Sequence, residues 1–329
     1  MSILGEIAER TRERVAAEKK ERSLASMRRA AEDMLAQDCA TCAAERPAGE
    51  GGPANEEEFQ TARDAAPCSF PFEVALSRPG VQVIAEVKKA SPSKGLIAPD
   101  IDPVAVAREY EAAQVAAISC LTEPFWFLGR DEYLADIARA VRTPVLRKDF
   151  VVDEYMVYGA KALGARAVLL ICSILDDSQL RACRELADEL HLSALVEAHT
   201  AGEVERALAC GARVIGVNNR DLSTFSVDMG CARGLRDLVP PGVLFVSESG
   251  VRGPADVQVA RDMGADAVLV GEALMRAADK GEKLAELLGG ERAEEADGAA
   301  AGEPGAGAAG TADAADAPGA ASGTGAGAC

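Results

Sequence analysis

Glu86 and Lys88 stand two residues apart where the apolar run Val83-Ile84-Ala85 gives way to the loop-like stretch Ala90-Ser91-Pro92-Ser93-Lys94-Gly95. Side chains alternate along a strand, so these two share a face. An acid and a base on one face, at the carboxyl end of a strand, make a pair suited to proton transfer. In isolation the pair also reads as a surface ion pair. The rest of the chain repeats the pattern. Later apolar runs end in Thr122-Glu123, Arg147-Lys148-Asp149-Phe150, Glu197, Asn218-Asn219-Arg220-Asp221, Ser247-Glu248-Ser249-Gly250 and Gly271-Glu272. Any one could be a solvated strand end, but together they describe a charged site.

Two of these endings suit an anion. Ser249-Gly250 and Gly271-Glu272 each follow an apolar run and precede a helix-like stretch. Glycine lets backbone N–H groups approach a phosphate closely, and a following helix N-terminus adds its dipole. Ser91 and Ser93 could add hydroxyl donors. The alternative is tight-turn geometry alone.

The elements that must position these groups alternate along the chain. Strand candidates are 82–87, 116–121, 145–147, 167–171, 193–197, 214–218, 244–247 and 267–270. Each is short, apolar and partly β-branched, as buried parallel strands are. Helical stretches at 103–112, 131–140, 154–163, 178–190, 201–209 and 254–263 separate most of them. Gly-Ala recurs before strands, at Gly164-Ala165, Gly211-Ala212 and Gly264-Ala265, consistent with a glycine helix stop. Eight strands alternating with helices predict an α/β fold, a (β/α)8 TIM barrel over 68–289. A doubly wound sheet would show a G-x-G-x-x-G turn after its first strand, and none is found.

Residues 1–38 read as an N-terminal helical extension, with Ile3, Ile7 and Val15 as an apolar stripe. Residues 39–67 read as a flexible insertion and 290–329 as a disordered Gly/Ala-rich acidic tail. The formal net charge of -18 argues against nucleic-acid binding. No apolar run approaches the length of a membrane span, and the charged N-terminus lacks a secretory core, so a cytoplasmic protein is expected. The 9 cysteines are scattered, mostly in apolar segments, as reduced thiols would be. Cys39 and Cys42 form one C-x-x-C without a matching second pair, and no metal site is expected.

Five ordered motifs resemble the indole-3-glycerol-phosphate synthase family. They are Ile84-Ala85-Glu86-Val87-Lys88-Lys89-Ala90-Ser91-Pro92-Ser93-Lys94-Gly95, Pro144-Val145-Leu146-Arg147-Lys148-Asp149-Phe150, Gly216-Val217-Asn218-Asn219-Arg220-Asp221-Leu222, Ser247-Glu248-Ser249-Gly250 and Leu269-Val270-Gly271-Glu272-Ala273-Leu274-Met275-Arg276. The likeness runs over roughly residues 75 to 287, plus the N-terminal helix. It implies conversion of 1-(2-carboxyphenylamino)-1-deoxyribulose 5-phosphate to indole-3-glycerol phosphate, carbon dioxide and water, without cofactor or metal. It further implies a phosphorylated small molecule as the partner and a monomeric enzyme.

By the same resemblance, Lys148 matches the general acid of ring closure. Lys88 matches the lysine that binds the substrate carboxylate or serves as acid in dehydration, and the division of steps between the two stays open. A lysine crowded by other cations has a lowered pKa and donates near neutral pH, the state expected of Lys148. Glu197 matches the base of dehydration, Glu86 a residue that positions Lys88 or shuttles a proton, and Asn218 one that holds a substrate hydroxyl. Arg220 is expected to pair with carboxylates. Glu248 belongs to the substrate-binding set. Ser249, Gly250, Gly271 and the backbone N–H of Glu272 are expected to cradle the phosphate, with Ser91 helping. Phe127 and Phe150 match residues lining the anthranilate pocket.

Two departures stand out. The linker before the first strand is longer than the family's, which bears on how the N-terminal helix packs over the site. The loop Thr122-Glu123-Pro124-Phe125-Trp126-Phe127-Leu128-Gly129 carries Pro124 and Trp126 in an otherwise familiar pattern. The competing readings are another phosphate-binding barrel enzyme, such as an isomerase or a Schiff-base aldolase, and a barrel kept as a scaffold.

Overall fold

The computed structural model describes residues 3–44, 70–220 and 226–289. The 290–329 tail and the insertion beyond residue 44 lie outside them. Two helices come first, α1 (Ile3–Glu21) and α2 (Leu24–Ala44), followed by a short α3 (Pro71–Leu76). Then come β1 (Gln82–Val87), a hairpin of β2 (Ala90–Ser91) and β3 (Gly95–Leu96), and α4 (Pro103–Ala112). Alternation continues through β4 (Ala117–Leu121), α5 (Asp131–Ala140), β5 (Val145–Lys148), α6 (Glu154–Ala162), β6 (Ala167–Ile171) and α7 (Asp177–Glu189). The last stretch holds β7 (Ser193–Ala198), α8 (Ala201–Ala209), β8 (Val214–Asn218), α9 (Gly230–Arg236), β9 (Leu244–Glu248), α10 (Pro254–Asp262), β10 (Ala267–Val270), α11 (Glu272–Arg276) and α12 (Lys280–Leu287).

Strands β1 and β4–β10 form a closed, all-parallel barrel in which β1 pairs with both β10 and β4. The barrel predicted from the alternation is therefore present. Its strand ends differ from the sequence reading by at most one residue. The helix-stop glycines Gly164, Gly211 and Gly264 all adopt positive φ, where a side chain would strain the backbone. Short elements without strong periodicity escaped the sequence reading: α3, the hairpin, α9, α11 and α12.

Period-two alternation sorts the barrel side chains. Ile84, Leu146, Leu169, Leu195, Val246 and Leu269 form a buried interior cluster with Phe72 and Leu76 of α3. The residue two positions further along each of these strands reaches the carboxyl-end mouth: Glu86, Lys148, Ile171, Glu197, Glu248 and Gly271. The other parity packs against the helices in a second cluster, including Val83, Ile118, Val168, Val196, Ile215 and Phe245. A one-residue slip would exchange these sets, so apolar burial fixes which groups face the site.

The N-terminal helices are fastened to the barrel by ion pairs. Arg14 of α1 makes two hydrogen bonds to the buried Asp149 carboxylate, at 3.0 and 2.9 Å. Lys19 pairs with Asp153 at 2.7 Å. On α2, Asp38 holds Lys161 at 2.7 Å and also binds Arg166. This anchoring carries α2 to Ala44, into the stretch whose composition suggested an insertion from residue 39.

Candidate active site

A cavity of about 840 Å³ opens at the carboxyl ends of the strands. All the site residues expected from sequence line it: Glu86, Lys88, Ser91, Phe127, Lys148, Phe150, Glu197, Asn218, Arg220, Glu248, Ser249, Gly250, Gly271 and Glu272. Ile3, Leu4 and Ile7 of α1 line it as well, so the first helix lies over the mouth despite the long linker.

Lys148 is the electrostatic centre. Its ammonium lies 3.1 Å from Glu248 and 3.3 Å from Glu197. Burial alone would lower its pKa, but Glu248, Glu197 and Glu86 outweigh burial and raise it well above the ordinary lysine value. The expected lowering is thus overturned: carboxylates, not cations, crowd this lysine. A fully protonated, doubly paired ammonium is a poor nucleophile, which disfavours Schiff-base chemistry.

The two carboxylates differ. Burial would raise both. For Glu197, Lys148, His199 and a 3.3 Å hydrogen bond from Asn218 Nδ2 win, and its pKa falls. For Glu248, burial wins and the carboxyl is pushed up to about 7, with the Glu197 charge adding to the rise. Glu248 Oε1 is buried and, among the described residues, has no hydrogen-bond partner. Gly216 lies beneath it, and a Cβ there would come within 2.1 Å of that oxygen. On the other side of the site Lys88 pairs with Glu86. This pair sits over Gly271, where a Cβ would come within 2.3 Å of Glu86 Oε2 and 2.8 Å of Lys88 Nζ.

The Ser249–Gly250 end of the cavity pairs unusual backbone with cations. Ser249 and Gly250 both have positive φ, 66° and 98°. Asn219 secures this turn, donating to Ser247 Oγ and to the carbonyls of Glu248 and Ser249. Lys94, Arg252, Arg276 and Lys283 also line the cavity. Glu272 faces Arg276 at 3.1 Å and Lys94 at 3.6 Å, which pull its pKa down against burial. The sequence reading did not single out these four cations as site residues, although Lys94 and Arg276 lie within its quoted motifs.

Not every charged strand end turns into the site. Arg147 points outward, to Asp131 at 2.8 Å and the Met156 carbonyl. Thr122 donates to Asp149. Glu123 is buried and accepts from the backbone N–H groups of Phe125, Trp126 and Phe127. The Pro124/Trp126 loop is thereby clamped so that Phe127 meets Phe150, ring centroids 5.9 Å apart.

Among the described residues, no group of three His, Cys, Asp or Glu side chains is placed to hold a metal ion. Cys39 is exposed and unpaired in any disulfide.

The sequence matches the family model for indole-3-glycerol phosphate synthase over residues 48–287. The chain belongs to the indole-3-glycerol phosphate synthase family. A relative with that name from Lachnoclostridium phytofermentans is 45% identical over 278 residues, covering 84% of this chain and 96% of its own. Another, from Ruminiclostridium cellulolyticum, is 51% identical over 220 residues, covering 67% and 85%. Among solved structures, 3-hexulose-6-phosphate synthase from Salmonella typhimurium superposes with a TM-score of 0.52 at 14% identity, covering 63% of this chain and 96% of its own. Thiamine phosphate pyrophosphorylase from Pyrococcus furiosus gives 0.50 at 18%, covering 65% and 96%. These two support the barrel fold alone. As an indole-3-glycerol phosphate synthase, the protein is a carboxy-lyase of tryptophan biosynthesis acting on a phosphorylated small molecule.

Proposed function

We propose that Lys148 is the general acid and Glu197 the base as the cavity converts 1-(2-carboxyphenylamino)-1-deoxyribulose 5-phosphate to indole-3-glycerol phosphate. The observation that carries this reading is the Lys148 ammonium held between two buried carboxylates at the cavity floor.

The chemistry runs in three steps. The ring carbon bearing the carboxylate attacks the ketone carbon, and Lys148 gives a proton to the ketone oxygen, which becomes a hydroxyl. The bond to the carboxylate then breaks, its electron pair returns to the ring system, and carbon dioxide leaves. Finally the hydroxyl departs as water with a proton from an ammonium acid. Glu197 takes the proton from the carbon beside nitrogen, and the indole forms. A carboxylate leaves as neutral carbon dioxide, so one proton enters per turnover.

Each group suits its part. A charged ammonium in a water-poor site stabilises a developing alkoxide as well as protonating it. Glu197, kept ionised by Lys148, His199 and Asn218, is ready to accept a proton. Lys88 binds the substrate carboxylate or takes the acid role in dehydration, with Glu86 orienting it. Phe127, Phe150 and the α1 side chains Ile3, Leu4 and Ile7 offer an apolar wall to the anthranilate ring. Ser249, Gly250, Gly271 and the Glu272 N–H bind the phosphate, with Ser91 and the nearby cations. Asn218 holds a substrate hydroxyl, Arg220 a carboxylate. The absence of a cofactor, a monomeric state and a cytoplasmic location complete the proposal.

The test is a steady-state assay with this substrate, following indole fluorescence, for wild type and Lys148→Ala. Turnover by the wild type with near-total loss in the variant supports the assignment. Surviving turnover in Lys148→Ala overturns Lys148 as the acid and points to Lys88.

A further inference from the structure

His199 follows β7 directly, two residues after Glu197, and does not line the cavity. Its Nε2 lies 3.6 Å from Glu197 Oε1 and its Nδ1 3.7 Å from Glu203 Oε2. The backbone N–H of His199 donates to the same Glu203 oxygen at 2.7 Å, which holds that carboxylate beside the ring. Nε2 is buried and, among the described residues, has no hydrogen-bond partner. Its near neighbour is the Glu197 carboxylate. His199 thus links the cavity-lining Glu197 to Glu203 in the first turn of α8.

We infer that His199 is a positioning residue for the synthase reaction: as an imidazolium held by Glu203, it keeps Glu197 ionised and oriented between substrate turnovers. The inference rests on the reading of Glu197 as the base. Lys148 and Asn218 already approach Glu197 from β5 and β8. His199, which does not line the cavity, approaches the same oxygen as Asn218. A base that has just taken a proton is reset faster when a cation stands beside it, because the cation favours its ionised form.

The other groups around the ring bear on its charge. Glu248 on β9 adds a third acid at longer range. Arg206 of α8 acts on Glu203, and Cys172 beyond β6 donates its thiol to the Glu203 carbonyl. Burial opposes the charged imidazole, but Glu203, Glu197 and Glu248 outweigh burial and raise its pKa above the ordinary histidine value.

The chain contains 2 histidines, so each ring can be titrated by itself. The experiment follows the imidazole nitrogen resonances of the full-length protein against pH, using His191→Asn to assign the signals. The same titration is run in Glu197→Gln and Glu203→Gln. Steady-state pH profiles are measured for wild type, His199→Asn and Glu203→Gln. The His199 titration is expected to move to lower pH in both Gln variants. The acid limb of the kcat profile is expected to move up by about one pH unit in His199→Asn, with a roughly tenfold activity loss below it. KM should hold, because His199 does not touch the cavity. Glu203→Gln should move the limb the same way, and it serves if His199→Asn folds poorly. A His199 titration unmoved by Glu197→Gln overturns the inference whatever the kinetics. A titration that moves while both profiles keep the wild-type limb overturns the kinetic role. Full activity of Glu197→Gln would instead refute Glu197 as the base, a separate result.

Discussion

Replacing Glu248 with Gln should change the pH dependence of stability in a defined direction. Glu248 is fully buried, and its carboxyl is pushed from 4.5 up to about 7. Between those values the native state keeps a proton that the unfolded chain releases. Native-state proton binding then exceeds that of the unfolded state, so this group's contribution to stability falls as pH rises through the window. At roughly 1.4 kcal/mol per pH unit, the fall totals about 3 kcal/mol. Gln has no proton to lose. Lys148 and Asn218 favour the ionised Glu197, and Glu197 and Glu86 favour the protonated Lys148, in wild type and variant alike. Urea unfolding of wild type and Glu248→Gln at pH 4.5 and pH 8 measures the change. The variant should gain about 3 kcal/mol on the wild type between the two pH values, whatever the offset at pH 4.5. A stability difference independent of pH would refute the claim that burial outweighs Lys148 at Glu248.

Three further outcomes follow from the contacts. Gly271→Ala places a methyl group 2.3 Å from Glu86 Oε2, so the Glu86–Lys88 pair must move, and kcat/KM should fall about 100-fold in a steady-state assay while circular dichroism stays unchanged. Arg14→Ala leaves Asp149 buried with Thr122 and, at 3.6 Å, Arg147; chemical denaturation should show a loss of about 3 kcal/mol, and KM should rise as α1 loosens over the mouth. Asp38→Asn strips the fully buried Lys161 ammonium of its carboxylate partner and should also cost about 3 kcal/mol in the same measurement, with kcat unchanged because the pair lies away from the cavity.

What was legible in the sequence was local and periodic. Ile84 and Glu86, Leu146 and Lys148, Leu195 and Glu197, Val246 and Glu248 each repeat one pattern: an apolar residue for the barrel interior, then a polar one for the mouth. That pattern marks the strands and their working ends at once. Arg147 and Lys148 show where it needs care, since neighbours in a strand face opposite ways, and Arg147 serves the wall rather than the site. Partners distant in sequence left no local signal. Arg14 and Asp149 lie 135 positions apart, and nothing near either one announces the pair that seats α1. His199 was passed over because its meaning lies in Glu197 and Glu203 together, which only the turn from β7 into α8 brings to one ring.

The sign of the Lys148 shift is the sharpest case of this limit. Along the chain Lys148 follows Arg147, and basic residues recur at other strand ends, so a cation-crowded lysine was the natural expectation. Barrel closure decides otherwise. In the parallel ladder Glu197 of β7 pairs with Gly216 of β8, and Asn218 of β8 pairs with Glu248 of β9. Gly216 carries no side chain, so the space between β7 and β9 stays open to the Glu248 carboxylate. Glu197 and Glu248 therefore converge on one ammonium from either side of β8. The glycine in Gly216-Val217-Asn218 is then a requirement of the electrostatics, because any larger residue would push Glu248 off Lys148.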